Sequence, residues 1–317
     1  MDAAREPDLH TIRIVRAIAE HGTITGAAAA LGYSQPALSQ HLRRAEHRLG
    51  TPLVLRHGRG VRLTEPGRLL ARHAGPILAA LRAASDELAQ LVDAAGGTVR
   101  VAAFPSASST LVPALIARLA RVTPALQLSY TEAEPPEALA LLAEGSIDLA
   151  ITFSYPGDPA DPHHDLLGTT VVPLFDDPLQ VVLPAGHPLA GSGGVHLDRL
   201  GADPWIAGCP LCRGHLLAAC GALGMTPRIA HATDNSVAVL GLVAAGVGVA
   251  LQPELALEPL EVPPGASVHP LVPASDRAVH AVHARGAEAV PTVGATLAAV
   301  LHVTAHRRAG TGHKRHR

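Results

Sequence analysis

The chain has 317 residues, 48% of them hydrophobic and 16% charged, which excludes a disordered chain and exceeds what one ordinary core holds. Aromatic residues make up only 2%, so Ala, Leu and Val must build the interior. The net charge of −2 divides unevenly: residues 1–72 carry 11 Arg against 6 acidic residues, and the rest carries a net of −7, which points to an anionic partner for the front alone.

The opening Met-Asp-Ala-Ala-Arg-Glu-Pro-Asp contains no apolar segment of a secretory signal. The longest stretch without a polar residue, Val237 to Leu251, is fifteen positions broken by three glycines. It is too short to span a bilayer and reads as a buried helix running into a strand. Three cysteines in such a length make no disulfide framework. A cytoplasmic chain with no membrane partner is expected.

Leu9, Ile12, Ile14, Val15 and Ile18 recur at helical spacing, and His21-Gly22 ends that helix. Thr23 or Thr25 caps a short second helix from about Gly26 to Leu31. Gly32 supplies a sharp turn. Ser34 then caps a third helix, with Pro36 in its first turn. Ala37, Leu38, Leu42, Ala45 and Leu49 form its buried stripe, and Gln35, Ser39, Gln40 and Arg43 lie off it. Two helices around a tight turn, the second amphipathic with amides near its start, describe a helix-turn-helix. Gln side chains can pair with adenine edges, so Gln35, Ser39 and Gln40 are candidate base readers. Arg43 and Arg44 are candidates for phosphates. Arg56, Arg59 and Arg62 flank two glycines in a short hairpin suited to a wing against the DNA backbone.

"TITGAAAALGYSQPALSQHLRRAEHRLGTPLVLRHGRGVRLTEPG" resembles the winged helix-turn-helix of LysR-type transcriptional regulators. The Ala-Ala-x-x-Leu, Ser-Gln-Pro-Ala-Leu-Ser, Glu-x-x-Leu-Gly and Leu-Thr-Glu-x-Gly motifs follow in order. Ala45 stands where the family usually has Leu, and Val54 where it has Phe. Both are core positions, so no DNA-contacting residue is put in doubt.

Thr64 caps a long helix from Glu65. Leu70, Ala74, Ile77, Leu81, Ala84, Leu88 and Leu91 form an a/d seam along it that seeks another helix. Pro76 argues against a straight rod. By the resemblance, this helix pairs antiparallel between two subunits, giving a homodimer or homotetramer. Gly96-Gly97 ends it.

From Thr98 strand and helix patterns alternate as in a parallel α/β sheet. "GSIDLAI", "VVLPAGHPLA" and "LGLVAAGVGVALQP" resemble the LysR effector domain, built like a periplasmic binding protein. The expected architecture is α/β with an α-helical N-terminal domain. A winged helix-turn-helix (1–64) leads into a dimerisation helix (65–95) and then a two-lobed effector domain (96–305). Lobe I covers about 96–170 and 269–305, lobe II about 171–268, and 306–317 is a basic, disordered tail.

The cleft between the lobes is the expected effector site. Its candidates sit at strand ends and helix starts: Ser106, Ser108, Ser109, Glu132, Cys209, Cys212, Arg213, Asp234 and Asn235. Ser106 also stands where family members contact effectors. "CPLCRGHLLAAC" gathers all three cysteines and a histidine. Three readings stay open for Cys209, Cys212, His215 and Cys220: pocket lining, a thiol switch activated by Arg213 and a helix N-terminus, or a zinc set. His163-His164-Asp165 reads as an exposed loop.

A ligand-gated DNA-binding regulator joins the basic front, the helical seam and the cleft in one account. Its partners would be double-stranded DNA, a small-molecule effector, a second subunit and RNA polymerase. A solute-binding protein accounts for the body alone. An enzyme would need a nucleophile–base pair or a cofactor fingerprint, and no GxSxG, P-loop or ordered GxGxxG occurs, so no cofactor is implied.

Overall fold

The computed structural model of the protein describes residues 6–57, 60–92, 97–158, 161–164 and 166–311, without the side chains of 56–57, 86–92 and 308–311. Three helices, α1 (Leu9–His21), α2 (Ile24–Ala30) and α3 (Gln35–Leu49), precede a hairpin of β1 (Val54–His57) and β2 (Gly60–Leu63). Asp8, Thr23 and Ser34 cap the helices, each accepting a backbone N–H with its side chain. Ile14, Val15, Ile18, Leu38, Leu42 and Leu53 form the small core. Glu46 accepts from the N–H groups of Leu53 at 2.8 Å and Val54 at 3.2 Å, which fixes the hairpin to α3.

α4 (Glu65–Val92) is one helix of 28 residues that continues through Pro76 instead of breaking there. Only part of the expected seam is free. Leu70 packs on the core of its own N-terminal domain, and Ala74 is fully buried beside Ile12 and Leu78. The reason is that α1 lies along the start of α4 and covers that stretch. Ile77 is 37% exposed and Leu81 half-buried. The side chains of Leu88 and Leu91 lie outside the described residues.

The body contains β3 (Thr98–Ala103), α5 (Pro105–Val122), β4 (Gln127–Glu132), α6 (Pro135–Ala143), β5 (Leu149–Ser154) and β6 (Thr169–Pro184). β7 (Val195–His196), β8 (Pro204–Ala207), α7 (Pro210–Ala222), β9 (Arg228–Ala232), α8 (Ser236–Ala244) and β10 (Val249–Pro253) follow. α9 (Glu254–Leu257), β11 (Ala266–Val272), β12 (Asp276–Ala284) and α10 (Pro291–Thr311) close the chain. The strand order is β4-β3-β5-β12-β6-β10-β8-β9, with β11 on the other side of β6.

β6 belongs to both lobes. Its residues 169–178 pair with β12, and 179–184 pair with β10 and β11. The lobe crossings therefore fall near 178 and between 272 and 276, not at 170 and 268 as the sequence suggested. A single unbroken strand carries the first crossing, so no composition change marks it. α7 begins at Pro210, because Cys209 caps it and Pro210 opens its first turn. α10 runs on to Thr311, so the expected tail loses its first residues to a helix; 312–317 lie outside the described residues.

Candidate functional site: a buried thiol pair between two lobes

The N-terminal surface carries the expected DNA candidates. Gln35, Pro36, Gln40, Arg43, Arg44 and Arg62 are exposed, and Ser39 is half-buried. The Gln35 amide donates to Ser39 Oγ at 3.0 Å, so these two form a unit on the first turns of α3. Arg56 lies on β1 opposite Val61, with its side chain outside the described residues; Arg59 lies outside them altogether. Tyr33, 40% exposed beside α3, makes edge contacts with His10 and His41 that the sequence did not suggest.

The other site forms where the first turn of α7, in lobe II, faces lobe I. Cys209 is the N-cap, and its sulfur accepts the Cys212 N–H at 3.4 Å. The two sulfurs are 3.1 Å apart and both thiols are free. Cys209 is buried and Cys212 half-buried. Facing them is Arg277 of β12, 2% exposed. Its guanidinium pairs with Asp177 at 2.8 Å, donates to Ser106 Oγ at 2.6 Å, and lies over the Phe104 and Phe153 rings at 4.7 and 4.4 Å. Tyr155 is buried beside Cys212 and stacks on His215 with ring centres 3.9 Å apart.

Glu134 immediately precedes α6, in lobe I. One carboxyl oxygen is buried without a hydrogen-bond partner, and a carboxyl oxygen lies within 4.8 Å of the Cys209 sulfur. Burial first, then the neighbouring Asp234, push Glu134 up to about 7. The hydrogen bond from Cys209, the Arg277 charge and the Tyr155 hydroxyl hold the Cys212 thiol below its ordinary value against burial. The same Cys209–Cys212 bond, with burial, pushes Cys209 up. The arrangement gives one thiolate and one proton-bearing thiol in contact. The space over them is a cavity of about 60 Å³ that Ser106, Glu134 and Arg277 also line.

The expected effector residues divide among several places. Ser106, Cys209, Cys212 and Asp234 meet at this cavity, while Ser106, Ser109, Glu132, Asp234 and Asn235 line a wider outer cleft of about 420 Å³. Asn235 also caps α8, accepting from Val237 N–H at 3.0 Å. Ser108 is withdrawn from both: its hydroxyl donates to the backbone oxygens of Ala103 and Phe104 and takes the Tyr130 hydroxyl. Arg213 is exposed, so the cation that acts on Cys212 is Arg277, brought from 65 residues away by the sheet.

Cys220 is fully buried in the main core, and burial raises its pKa. The Cys209–Cys212–His215–Cys220 set is therefore not convergent. Among the described residues, the one group with metal-ligand spacing is Glu134, Cys209 and Asp234, whose ligand atoms lie within 4.8 Å of one another. His163 is not an exposed loop residue. Its side chain is 8% exposed and bonds Thr152 Oγ1 at 2.8 Å and Asp161 at 2.9 Å, because the loop folds back over the sheet; Asp165 lies outside the described residues. Sequence reasoning missed Glu134, Tyr155, Asp177 and Arg277. The available signal was the Arg that opens the strand "DRAVHAVHA".

A winged helix-turn-helix, a long connecting helix and a two-lobed sensing body together define a DNA-binding transcriptional regulator. Residues 9–68 match the bacterial regulatory helix-turn-helix protein, lysR family, and residues 93–305 match the LysR substrate binding domain. The chain belongs to the LysR family of transcriptional regulators, and its relatives are regulators rather than enzymes. It is 34% identical over 262 residues, 81% of each chain, to a probable hydrogen peroxide-inducible genes activator of Mycobacterium avium. A Corynebacterium glutamicum OxyR cysteine mutant has a similar structure, with a TM-score of 0.56 and 26% identity over 97% of each chain. A full-length OxyR variant of Pseudomonas aeruginosa has the same fold, with a TM-score of 0.60 and 23% identity over 94% of this chain and 95% of that one. No helix among the described residues is long and apolar enough to cross a membrane.

Proposed function

We propose that this regulator is gated by a peroxide-type oxidant, and that the switch is a reversible disulfide between Cys209 and Cys212. The observation that carries this reading is the 3.1 Å Sγ–Sγ separation in one helical turn, facing a buried arginine. A disulfide needs about 2.05 Å between sulfurs, so the pair closes with a movement of about 1 Å. A cavity of about 60 Å³ suits a molecule of peroxide size. Ordinary small-molecule pockets measure roughly 300–1,000 Å³. The name of the Mycobacterium avium relative supports the same signal.

Cys212 is the attacking thiolate, favoured by Arg277 and Tyr155, and Cys209 resolves. In the reduced protein, negative charge on Cys212 in lobe II faces Arg277 in lobe I. The disulfide removes that charge and takes the cap sulfur from α7, so the contact between the lobes weakens. DNA is held by α3 and the wing: Gln35, Ser39 and Gln40 read bases, and Arg43, Arg44, Arg62, Arg56 and Arg59 hold phosphates. The stripe of Ile77, Leu81, Leu88 and Leu91 joins two subunits; tetramer formation and an RNA polymerase contact extend the same reading.

A second reading is a non-covalent effector in the outer cleft, favoured by the five expected residues gathered there. DNA affinity for the region upstream of the protein's own gene, measured in dithiothreitol and after hydrogen peroxide, separates the two. The thiol reading expects a reversible change that Cys212→Ser abolishes. A parent unaffected by peroxide but shifted by a small organic ligand would favour the second reading.

A further inference from the structure

We propose that Glu134 carries the protons of the thiol-to-disulfide conversion, donating to the oxygen that leaves and accepting from the Cys209 thiol; this rests on the thiol-switch reading. Three observations on geometry support it. A Glu134 carboxyl oxygen lies within 4.8 Å of the sulfur of Cys209, the thiol that must lose a proton to resolve. One Glu134 oxygen is buried with no hydrogen-bond partner, so it is free to serve a small molecule in the cavity it lines. Among the other described carboxylates, Asp177 is held by Arg277 and the Leu255 N–H, Glu132 lines only the outer cleft, and Asp234, which also borders the cavity, is exposed where Glu134 is half-buried. Asp234 lies beside Glu134 and bears negative charge, which favours the protonated form of Glu134, while Arg277 opposes it. The resulting value of about 7 leaves both forms populated at neutral pH, as a proton carrier requires.

The steps balance. The Cys212 thiolate attacks one peroxide oxygen, an S–O bond forms, and the O–O bond breaks. The leaving hydroxide takes the Glu134 proton and departs as water, with the sulfur oxidised and the peroxide reduced. Glu134, now a carboxylate, takes the Cys209 proton. The Cys209 sulfur attacks Cys212, the S–S bond forms and the S–O bond breaks. The second hydroxide takes the proton back from Glu134 and leaves as water. The negative charge that began on Cys212 ends on Glu134, beside Asp234.

The test uses the full-length reduced protein with hydrogen peroxide as the probe. Sulfenic acid at Cys212 is trapped with dimedone, and disulfide formation is followed by thiol counting after acid quench. Glu134→Gln preserves size and should slow the disulfide step at least tenfold. It should let dimedone capture Cys212, and it should abolish a pH break near 7 in that step. Added formate should restore part of the rate, which a merely structural defect would not allow. The parent offers a second measurement if the variant folds poorly: its resolving step should show the break near 7. A variant that forms the disulfide at the parental rate with the parental pH profile overturns the proposal alone. A parent whose thiols resist peroxide overturns it together with the thiol-switch reading.

Discussion

Gly75 of α4 lies so close to Ala143, the last residue of α6, that a Cβ on it would stand 1.7 Å from the Ala143 carbonyl oxygen. Nearby, Arg16 of α1 donates to the Glu144 carbonyl at 2.6 Å. The end of α6 is thus clamped between the linker helix and the DNA-binding domain, and Glu134 stands at the opposite end of that helix. One short helix joins the thiol site to the base of the DNA-binding unit. Gly75→Ala forces the two apart, because the obstacle is backbone and cannot rotate away. The variant should fold but lose this docking. Small-angle scattering should report a larger radius of gyration than the parent's; identical curves would contradict the contact.

The Arg277–Asp177 pair sits under the thiols with both side chains almost sealed from water. Removing one partner leaves a buried uncompensated charge, which costs about 3–5 kcal/mol. Asp177→Ala should lose stability by that order in urea denaturation. Arg277→Met removes the cation that favours the Cys212 thiolate. Its reaction with peroxide at pH 7 should be slower, and its thiol titration should shift upward. An unchanged titration would show that Arg277 does not act on Cys212.

Cys220→Ala keeps the switch on this account, since Cys220 lies on the core face of α7 and is fully buried. The variant should lose some stability and keep its peroxide-dependent change in DNA affinity. Loss of the response in a folded Cys220→Ala protein would place the functional partner elsewhere on α7.

On the DNA side, Gln40→Ala should weaken specific binding by about 1–3 kcal/mol and relax sequence preference. Arg62→Ala should weaken all sequences alike and lower the salt slope by about 1. Parallel titrations on operator and random duplex at several salt concentrations distinguish them. Equal losses on both duplexes for Gln40→Ala would remove it from the base-reading set.

The stability profile should bend in two opposite senses. Glu134 is raised from 4.5 to about 7 by burial and Asp234, so the folded state holds the extra proton between those values. Its contribution is present below 4.5 and is lost as pH rises through 7. His280 is lowered from 6.5 to about 4 by burial and the neighbouring His163. There the unfolded state holds the extra proton, so stability is present above 6.5 and is lost as pH falls through 4. Thermal melts should show Glu134→Gln flattening the decline between pH 4.5 and 7, and His280→Gln flattening the acid loss below 6.5. A variant whose melting profile parallels the parent's would refute that residue's assignment.

The N-terminal domain was legible because its signals are local. Ser34, Pro36 and Gly22 act on their own turns, and the apolar stripes face one small core. The thiol site was half legible. Cys209 and Cys212 are close in sequence, so their meeting follows from one helical turn. Their electrostatic partners are not: Glu134, Tyr155 and Arg277 come from three separate elements of lobe I. Exposed Arg213 was the nearer cation in sequence, yet helix geometry turns it away. Sequence distance misled at Leu70 too, since a heptad position says that a residue seeks apolar cover and not which chain supplies it.

In the proposed switch, Cys209 and Cys212 form the disulfide. Peptide mass spectrometry under non-reducing conditions, after one equivalent of hydrogen peroxide and alkylation of the remaining thiols, tests it most directly. A peptide joining Cys209 to Cys212, lost on dithiothreitol treatment, is expected, with Cys220 alkylated only after unfolding. A peptide in which Cys220 is bridged while Cys209 stays free, or no bridge at all, would contradict it.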